Sequence, residues 1–359
     1  MRRVLVTGGA GFIGSNFVHY WRRAHPQDRV VVLDALTYAG RRENLSPFRE
    51  DASFRFVHAD INDCALVFDL LRGEKIDTLI HFAAETHVDR SIDGPDAFIQ
   101  ANVAGTHSLL KAARRAWLDE GTAPDHRFHQ VSTDEVFGSL GLQDAPFRES
   151  SPYSPSSPYS ASKAASDHLV HAYRKTYGLQ ATTSCCSNNY GPRQFPEKLI
   201  PLCVVNLLRG LPLPIFGDGR QVREWLHVDD HCRGVELVIE RGRPGEVYNL
   251  GGGSQVANID LVTRLCSIVD DEFRRDPSLA RRFPAAPAAH GVPSQSLVTF
   301  VADRPGHDLR YALDGRKARD ELGFEARIDL APGLRETVTW YLGNEGWWST
   351  PRSDEKARL

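Results

Sequence analysis

The chain reads as an α/β protein, a doubly wound parallel sheet followed by a smaller C-terminal α/β substrate-binding lobe. Three observations carry this expectation. Through the first 190 residues, apolar runs short enough for buried strands alternate with helical patterns, the rhythm of βα units feeding one parallel sheet. The first run opens into a glycine-rich turn, Gly8-Gly9-Ala10-Gly11-Phe12-Ile13-Gly14. The second run ends at Asp34, about twenty residues past the turn, as a dinucleotide fingerprint requires.

Val4-Leu5-Val6-Thr7 forms the first strand, and a helical pattern follows from near Ser15 to Arg23. Glycines between them let the backbone turn sharply and approach a pyrophosphate, while the helix N-terminus offers N–H groups and a favourable dipole. Arg29 to Leu33 is the second strand. The Asp34 carboxylate after it would accept ribose hydroxyls and repel a 2′-phosphate, favouring NAD over NADP; Arg41 and Arg42 work against that preference. Phe54 to His58 is the third strand, with Ala59-Asp60-Ile61 placed to border an adenine. Ala65 to Gly73 is helical, and Thr78 to Phe82 is a fourth strand ending in Ala83-Ala84-Glu85-Thr86. A long helix spans Ala101 to Trp117, and Arg127 to Val131 is the fifth strand.

Pro152, Pro155 and Pro158 among serines mark an irregular loop, which ends where Tyr159 opens a helix to about Tyr177. Ala181 to Cys186 is a further strand, leading into Ser187-Asn188-Asn189-Tyr190-Gly191-Pro192. Phe195-Pro196-Glu197-Lys198-Leu199-Ile200-Pro201 opens a helix, Pro214 to Gly219 is turn-rich, and Val222 to Val228 is strand-like. Shorter elements are expected beyond this point. The domain reading is therefore 1–190 for the nucleotide fold, with some later segments returning to it, 191–343 for the lobe, and 344–359 for a tail frayed from Ser353. The proline- and alanine-rich stretch Arg274 to Ser296 reads as a surface excursion or mobile loop outside the core.

Hydrophobic content of 41% and charged content of 25% are ordinary for a globular protein, and the net charge of -3 gives no general case for binding nucleic acid or anionic membrane. Six cysteines are scattered without a Cys-x-x-Cys pair, so buried reduced thiols are expected. The N-terminal apolar run is too short for a signal peptide and no run approaches a membrane span. A soluble, cytoplasmic protein is the expectation. The histidine pairs His126/His129 and His168/His171 lack further ligands at a metal-site spacing, so no metal is expected.

Chemistry is expected where Ser132-Thr133-Asp134-Glu135-Val136-Phe137-Gly138 leaves the fifth strand, because ligands of open α/β sheets bind at the carboxyl ends of the strands. As loop residues alone, Asp134 and Glu135 would be a solvated acidic turn. Tyr159 and Lys163, four apart, share one helix face, and an ammonium beside a phenol favours phenolate, a usable base.

Together, Thr7 to Gly14 and Tyr159-x-x-x-Lys163 resemble the extended short-chain dehydrogenase/reductase superfamily, with its Rossmann-like sheet. Thr133-Asp134-Glu135, Ser187 to Pro192, Phe195 to Pro201 and Asp303-Arg304-Pro305-Gly306-His307-Asp308 resemble, within it, the dTDP-glucose 4,6-dehydratases, from the first strand to roughly Gly343. The resemblance implies a reaction without net redox change. Tyr159, assisted by Lys163 and Thr133, takes the 4-hydroxyl proton as hydride passes to NAD. Glu135 then removes the 5-proton, Asp134 protonates the departing 6-hydroxyl, and hydride returns to the 6-position. It also implies cofactor contacts at Gly8, Gly11, Phe12, Ile13, Gly14, Asp34, Ala35, Leu36, Thr37, Asp60, Ile61, Ala83, Ala84, Tyr159, Lys163 and Asn189. Sugar contacts would come from Thr86, Thr133 and Asn188. The nucleotide pocket would be lined by Glu197, Lys198, Leu199, Pro214, Ile215, Phe216 and Asn258, with Arg223, Arg304 and His307 at the diphosphate or base. A homodimer joined by the 101–117 and 159–177 helices is implied as well. Three residues depart from the pattern: Phe137 and Phe216 where tyrosine is common, and Ala101 where threonine is common. A nucleotide-sugar 4-epimerase would share everything except a need for Asp134 and Glu135, a dehydratase for a GDP-, CDP- or UDP-sugar would share both, and a non-catalytic NAD sensor would need neither.

Overall fold

The computed structural model describes residues 1–349. Its first part builds β1 (Arg3–Thr7), α1 (Phe12–Ala24), β2 (Arg29–Asp34), β3 (Phe54–His58), α2 (Cys64–Gly73), β4 (Thr78–His81), α3 (Val88–Asp93) and α4 (Asp96–Phe98). The long helix then runs as a π-helical turn (Ile99–Ala104), α5 (Gly105–Ala113) and a second π-helical turn (Arg114–Asp119). After β5 (Arg127–Thr133) come α6 (Pro158–Tyr177), β6 (Ala181–Cys186), β7 (Asn188–Tyr190), α7 (Leu199–Arg209), β8 (Leu213–Phe216), β9 (Val222–His227), α8 (Val228–Arg241) and β10 (Val247–Leu250). The rest is β11 (Ser254–Ala257), α9 (Asn258–Arg275), α10 (Ser278–Arg282), β12 (Val298–Val301), α11 (Arg316–Leu322), α12 (Leu330–Gly343) and α13 (Glu345–Ser349).

Seven strands form one sheet in the order β10-β6-β5-β4-β1-β2-β3, and every pairing in it is parallel. Successive side chains of a strand point to opposite faces. On one face Val4, Val6, Val30 and Val32 pack with Phe17 and Trp21 of α1 and Val235 and Val238 of α8. On the other, Leu5, Val31, Leu33 and Leu79 meet Val67 and Leu71 of α2 and Leu109 and Leu110 of α5. Helices cover both faces, so the central strands β1 and β2 are near-continuous apolar runs rather than alternating ones. Strand order reverses between β1 and β4, and that reversal leaves a crevice at the carboxyl ends of the strands.

The lobe holds a three-stranded sheet, β11-β9-β7, and a two-stranded one, β12-β8. Its core joins α7, α9 and α12 through residues such as Val204, Leu207, Leu265, Val269, Leu334 and Val338. β10 returns to the large sheet beside β6, and Leu250 and Tyr248 carry its apolar face into the core shared with α1 and α8.

Four expectations change. Residues 214–216 are strand, because Leu213 to Phe216 pairs in parallel with β12; the turn begins at Gly217, whose φ is +57°. The lobe's elements are not short, since α9 alone has 18 residues. Residues 274–296 are no excursion. α9 reaches Arg275, α10 and two short 3-10 turns follow, and Leu279, Phe283 and Ala286 are buried in the lobe core. Prolines and alanines hide any helical period there, and Leu279 and Phe283 do the anchoring. Residues 345–349 form α13, so the tail is docked at its start; fraying from Ser353 lies outside the described residues.

Candidate active site

A cavity of about 660 Å³ opens at the carboxyl ends of β1, β2, β4, β5 and β6 and extends into the lobe. It is lined by nearly every residue expected of a site. The predicted cofactor residues Gly8, Gly11, Phe12, Ile13, Gly14, Asp34, Ala35, Thr37, Asp60, Ile61, Ala83, Ala84, Tyr159, Lys163 and Asn189 face it. So do Thr86, Thr133, Asp134, Glu135, Asn188, Glu197, Lys198, Leu199, Pro214, Phe216, Arg223, Asn258, Arg304 and His307. Two residues do not belong to its lining. The Leu36 side chain packs on the sheet core, and Ile215 is 2% exposed in the lobe core; alternation along β8 turns Pro214 and Phe216 to the cavity and Ile215 away.

At the mouth of β1 the glycines are required by space. Gly8 adopts φ +69°, and a Cβ on Gly14 would stand 2.2 Å from the Gly8 carbonyl oxygen. The turn is therefore a bare-backbone cradle at the N-terminus of a helix, which suits a pyrophosphate. Asp34 is fixed above it: Oδ2 accepts the Ala10 N–H at 2.8 Å and Oδ1 accepts the Leu36 N–H at 2.8 Å. Leu36 itself has φ 52°, a conformation that bends the chain so its N–H faces Asp34. These features fit a dinucleotide.

At the end of β5, Thr133 caps a 3-10 turn of Asp134 to Phe137. Its Oγ1 accepts the Glu135 N–H and donates to Asp134 Oδ1, both at 3.3 Å. Asp134 is 1% exposed, and its Oδ2 has no hydrogen-bond partner among the described residues. Burial, then the neighbouring Glu135 and Glu224, hold the Asp134 carboxyl well above the usual range. Burial also raises Glu135, but Lys198, Arg223 and Arg304 pull it back. The two neighbours thus differ in kind: Asp134 favours its acid form, and Glu135 faces the cations. Like charge and burial separate such a pair.

α6 begins with a capping box in which Ser157 accepts the Ser160 N–H, Pro158 occupies the first turn, and Gly178 ends the helix at φ 79°. This fixes Tyr159 and Lys163, both buried. The Lys163 ammonium takes its hydrogen-bond partner from the backbone. Lys163 Nζ donates to the Val131 carbonyl at 2.8 Å. Burial and then Glu135 hold the Tyr159 phenol well above its ordinary value, while a hydrogen bond with Thr133 favours the phenolate. Burial also lowers the Lys163 ammonium, with Asp167 opposing. In this arrangement the Thr133 hydroxyl acts on the phenol, while the Lys163 ammonium is bonded to the backbone.

The lobe side supplies cations. Lys198 Nζ donates to the Thr86 carbonyl at 2.7 Å. Arg223 donates to the carbonyls of Val222 and Asp308, each at 2.9 Å, and lies over the Tyr311 ring at 4.3 Å. Arg304 lies over Phe216 at 4.4 Å and 3.4 Å from Asp89. Burial lowers His307 although Asp303 bonds it at 2.6 Å. Phe137 does not line the cavity; it stacks on Phe147 with centroids 5.2 Å apart. Ala101 does line it.

Sequence reasoning missed Tyr38, Phe195, Gln194, Asp308 and Tyr311 in the lining. Tyr311 is the clearest case: its hydroxyl donates to Asp308 at 2.6 Å, and its segment reaches the cavity by pairing with β9, through the bridge of Val222 to Arg310 and the bond from Arg223 to the Asp308 carbonyl. No local pattern announces such a residue. The paired histidines His126 and His129 serve structure. His129 bonds the hydroxyls of Thr182 and Ser184 at 3.0 Å, and His126 bonds Ala123 and Gln180. Among the described residues His25, Glu236 and Glu240 bring ligand atoms within 4.8 Å of one another, but His25 and Glu236 already bond each other at 2.5 Å. All six cysteines are free, Cys64 being half-buried and the others buried. No helix among the described residues is long and apolar enough to cross a membrane.

Residues 5–337 match the family model described as GDP-mannose 4,6 dehydratase. A dTDP-glucose 4,6-dehydratase of Xanthomonas campestris pv. campestris (strain B100) is 51% identical over 345 residues, 96% of this chain and 94% of that protein. The dTDP-glucose 4,6-dehydratase of Salmonella typhimurium is 46% identical, covering 98% of this chain and 96% of its own. Among solved structures, DesIV, a dTDP-glucose 4,6-dehydratase of Streptomyces venezuelae with NAD and dTDP bound, superposes with a TM-score of 0.84 at 49% identity, over 96% of this chain and 98% of that one. The family model speaks of GDP-mannose and the relatives of dTDP-glucose; identity near one-half along nearly whole chains is the finer evidence. The chain belongs to the nucleotide-sugar 4,6-dehydratases of the extended short-chain dehydrogenase/reductase superfamily, on the dTDP-glucose branch.

Proposed function

We infer that the protein is an NAD-dependent dTDP-glucose 4,6-dehydratase that forms the 4-keto-6-deoxy sugar and water. The observation that carries this reading is the shared cavity. Asp134 and Glu135 face the same space as Tyr159, the glycine cradle and the Lys198–Arg223–Arg304 cluster. A 4-epimerase has no use for an acid and a base at the end of β5. Bound NAD supplies a temporary store for the hydride that leaves the 4-position and later enters the 6-position.

The chain's own residues do the proton work. Tyr159, beside the Thr133 hydroxyl, takes the proton of the 4-hydroxyl. Lys163 contributes positive charge one helical turn along. The resulting 4-ketone makes the neighbouring 5-proton acidic, and Glu135 removes it. Asp134, kept protonated by burial and by Glu135, gives its proton to the departing 6-hydroxyl. Each transfer of this kind contributes roughly two to four powers of ten in rate. Arg223, Arg304 and His307 meet the diphosphate or base, where arginine's fork suits phosphate oxygens, Lys198 and Asn258 line the nucleotide pocket, and Thr86 and Asn188 hold the sugar.

In this reading residues 1–190, with α8 and β10, hold the cofactor, and 191–343 mainly hold the sugar nucleotide. The enzyme works in the cytoplasm, where free thiols persist, as a homodimer joined by the helices around Ala101–Trp117 and Pro158–Tyr177. Exposed Ile99 and Tyr177 on those helices support that surface. The test is incubation with dTDP-glucose in heavy water, followed by NMR. A new methyl signal with deuterium at the 5-position is expected; an epimerised or unchanged sugar would sink the reading. The same run with GDP-mannose, CDP-glucose and UDP-glucose ranks the bases, and faster turnover of any of these would reassign the substrate.

A further inference from the structure

The tail expected after residue 343 is instead a docked element, and what it touches has a consequence for the cofactor. Trp347, half-buried on α13, donates its Nε1–H to Asn44 Oδ1 at 2.8 Å. Buried Asn44 passes the contact on, since its Nδ2 donates to the Ala10 carbonyl at 2.9 Å. Ala10 sits inside the glycine turn. Its carbonyl also accepts the Arg41 N–H at 2.9 Å, and its own N–H donates to Asp34 Oδ2 at 2.8 Å. A chain of hydrogen bonds therefore runs from the C-terminal helix to the carboxylate placed for the ribose.

A second contact runs in parallel. The Arg41 guanidinium lies over the Trp347 ring at 4.6 Å and over the Phe195 ring at 5.7 Å, and donates to the Trp347 carbonyl. Phe195 meets Tyr38 edge-on, with centroids 6.0 Å apart, and both line the cavity. Next to Trp347, the Tyr341 hydroxyl donates to the Gln194 carbonyl, and Gln194 Nε2 donates to the carbonyl of the predicted cofactor residue Asn189 at 3.0 Å. The loop after β2 and the segment after β7 approach the cavity from different parts of the chain, and the C-terminal helices grip both.

We propose that Trp347 is a positioning residue for the dinucleotide, holding the glycine turn and the loop after β2 in their binding geometry through Asn44 and Arg41. This rests on the NAD reading above. The chemistry makes retention matter: hydride that leaves one carbon must return to another of the same molecule, so a cofactor lost between the two transfers strands a half-reacted sugar. Trp347 does not line the cavity, so its effect falls on how long the cofactor stays.

The experiment loads the full-length chain with radiolabelled NAD, chases with unlabelled NAD and follows release, alongside equilibrium dialysis. Trp347→Ala should weaken NAD binding and speed release about tenfold, as expected for losing one buried hydrogen bond and one cation–π contact together. Trp347→Phe, which keeps the ring but not the N–H, should fall between that variant and the parent. In turnover, KM for added NAD should rise while kcat at saturating NAD changes far less. Trp348→Phe is the control for general loosening, because Trp348 Nε1 bonds the Tyr341 carbonyl inside the lobe core and its ring partners are Phe283 and Arg209 rather than Asn44 or Arg41. Parent-like affinity and release in both Trp347 variants overturns the proposal, as does equal weakening by Trp348→Phe. A parent protein with no NAD affinity at all would overturn the cofactor reading itself, and this inference with it.

Discussion

Asp134 shows how much a residue's meaning depends on where it is put. In a solvated loop its carboxyl would ionise near pH 4; here burial and Glu135 hold it well above that. The sign of the pH dependence follows. Between the ordinary value and the raised native one, the folded protein keeps a proton that the unfolded chain has released, so stability contributed by this group falls as pH rises through that window. Asp134→Asn should therefore raise stability at pH 8 by about 0.5–2 kcal/mol, and the gain should vanish near pH 4. Urea unfolding at the two pH values checks this. The same substitution should slow water loss by roughly two to four powers of ten while NAD binding is unchanged. A variant no more stable at pH 8 than the parent would mean that Asp134 is not held protonated by burial.

At the scale of elements, α6 and the 274–296 segment behave oppositely toward a sequence reader. α6 announces itself: Ser157, Pro158, the four-residue spacing of Tyr159 and Lys163, and Gly178 at the end all act locally. The segment from Arg274 to Ser296 does not. Its prolines and alanines read as loop, yet Phe283 stacks on Trp348 with centroids 6.2 Å apart and is 4% exposed. Phe283→Ala should cost about 3–5 kcal/mol of stability, as truncating a buried aromatic does. A loss below about 0.5 kcal/mol in chemical denaturation would return the segment to the surface.

Over the whole molecule the nucleotide fold is not a contiguous piece of chain. β10 pairs with β6, and Val235, Val238, Tyr248 and Leu250 complete the core on one face of the sheet. A fragment ending at residue 190 would expose that face, so it should fail to give the cooperative unfolding expected of the full chain. Circular dichroism during heating decides it, and a cooperative transition in the fragment would show that α8 and β10 are dispensable.

Strand–helix alternation, the glycine turn with Asp34, and the Tyr159/Lys163 face were open to reading in the residues themselves, because backbone sterics, burial on two faces and helical spacing operate over a few residues at a time. The acidic pair was visible too, but its protonation was not. Burial raises both carboxyls, and what sets them apart, Glu224 beside Asp134 and Lys198 and Arg304 beside Glu135, lies far along the chain. Tyr311, the inward turn of Ile215, the burial of Phe283 and the grip of Trp347 on Asn44 were likewise decided by tertiary structure. Each depends on which distant surfaces meet, and electrostatics and packing in a closed cavity are set by those neighbours rather than by the order of residues beside them.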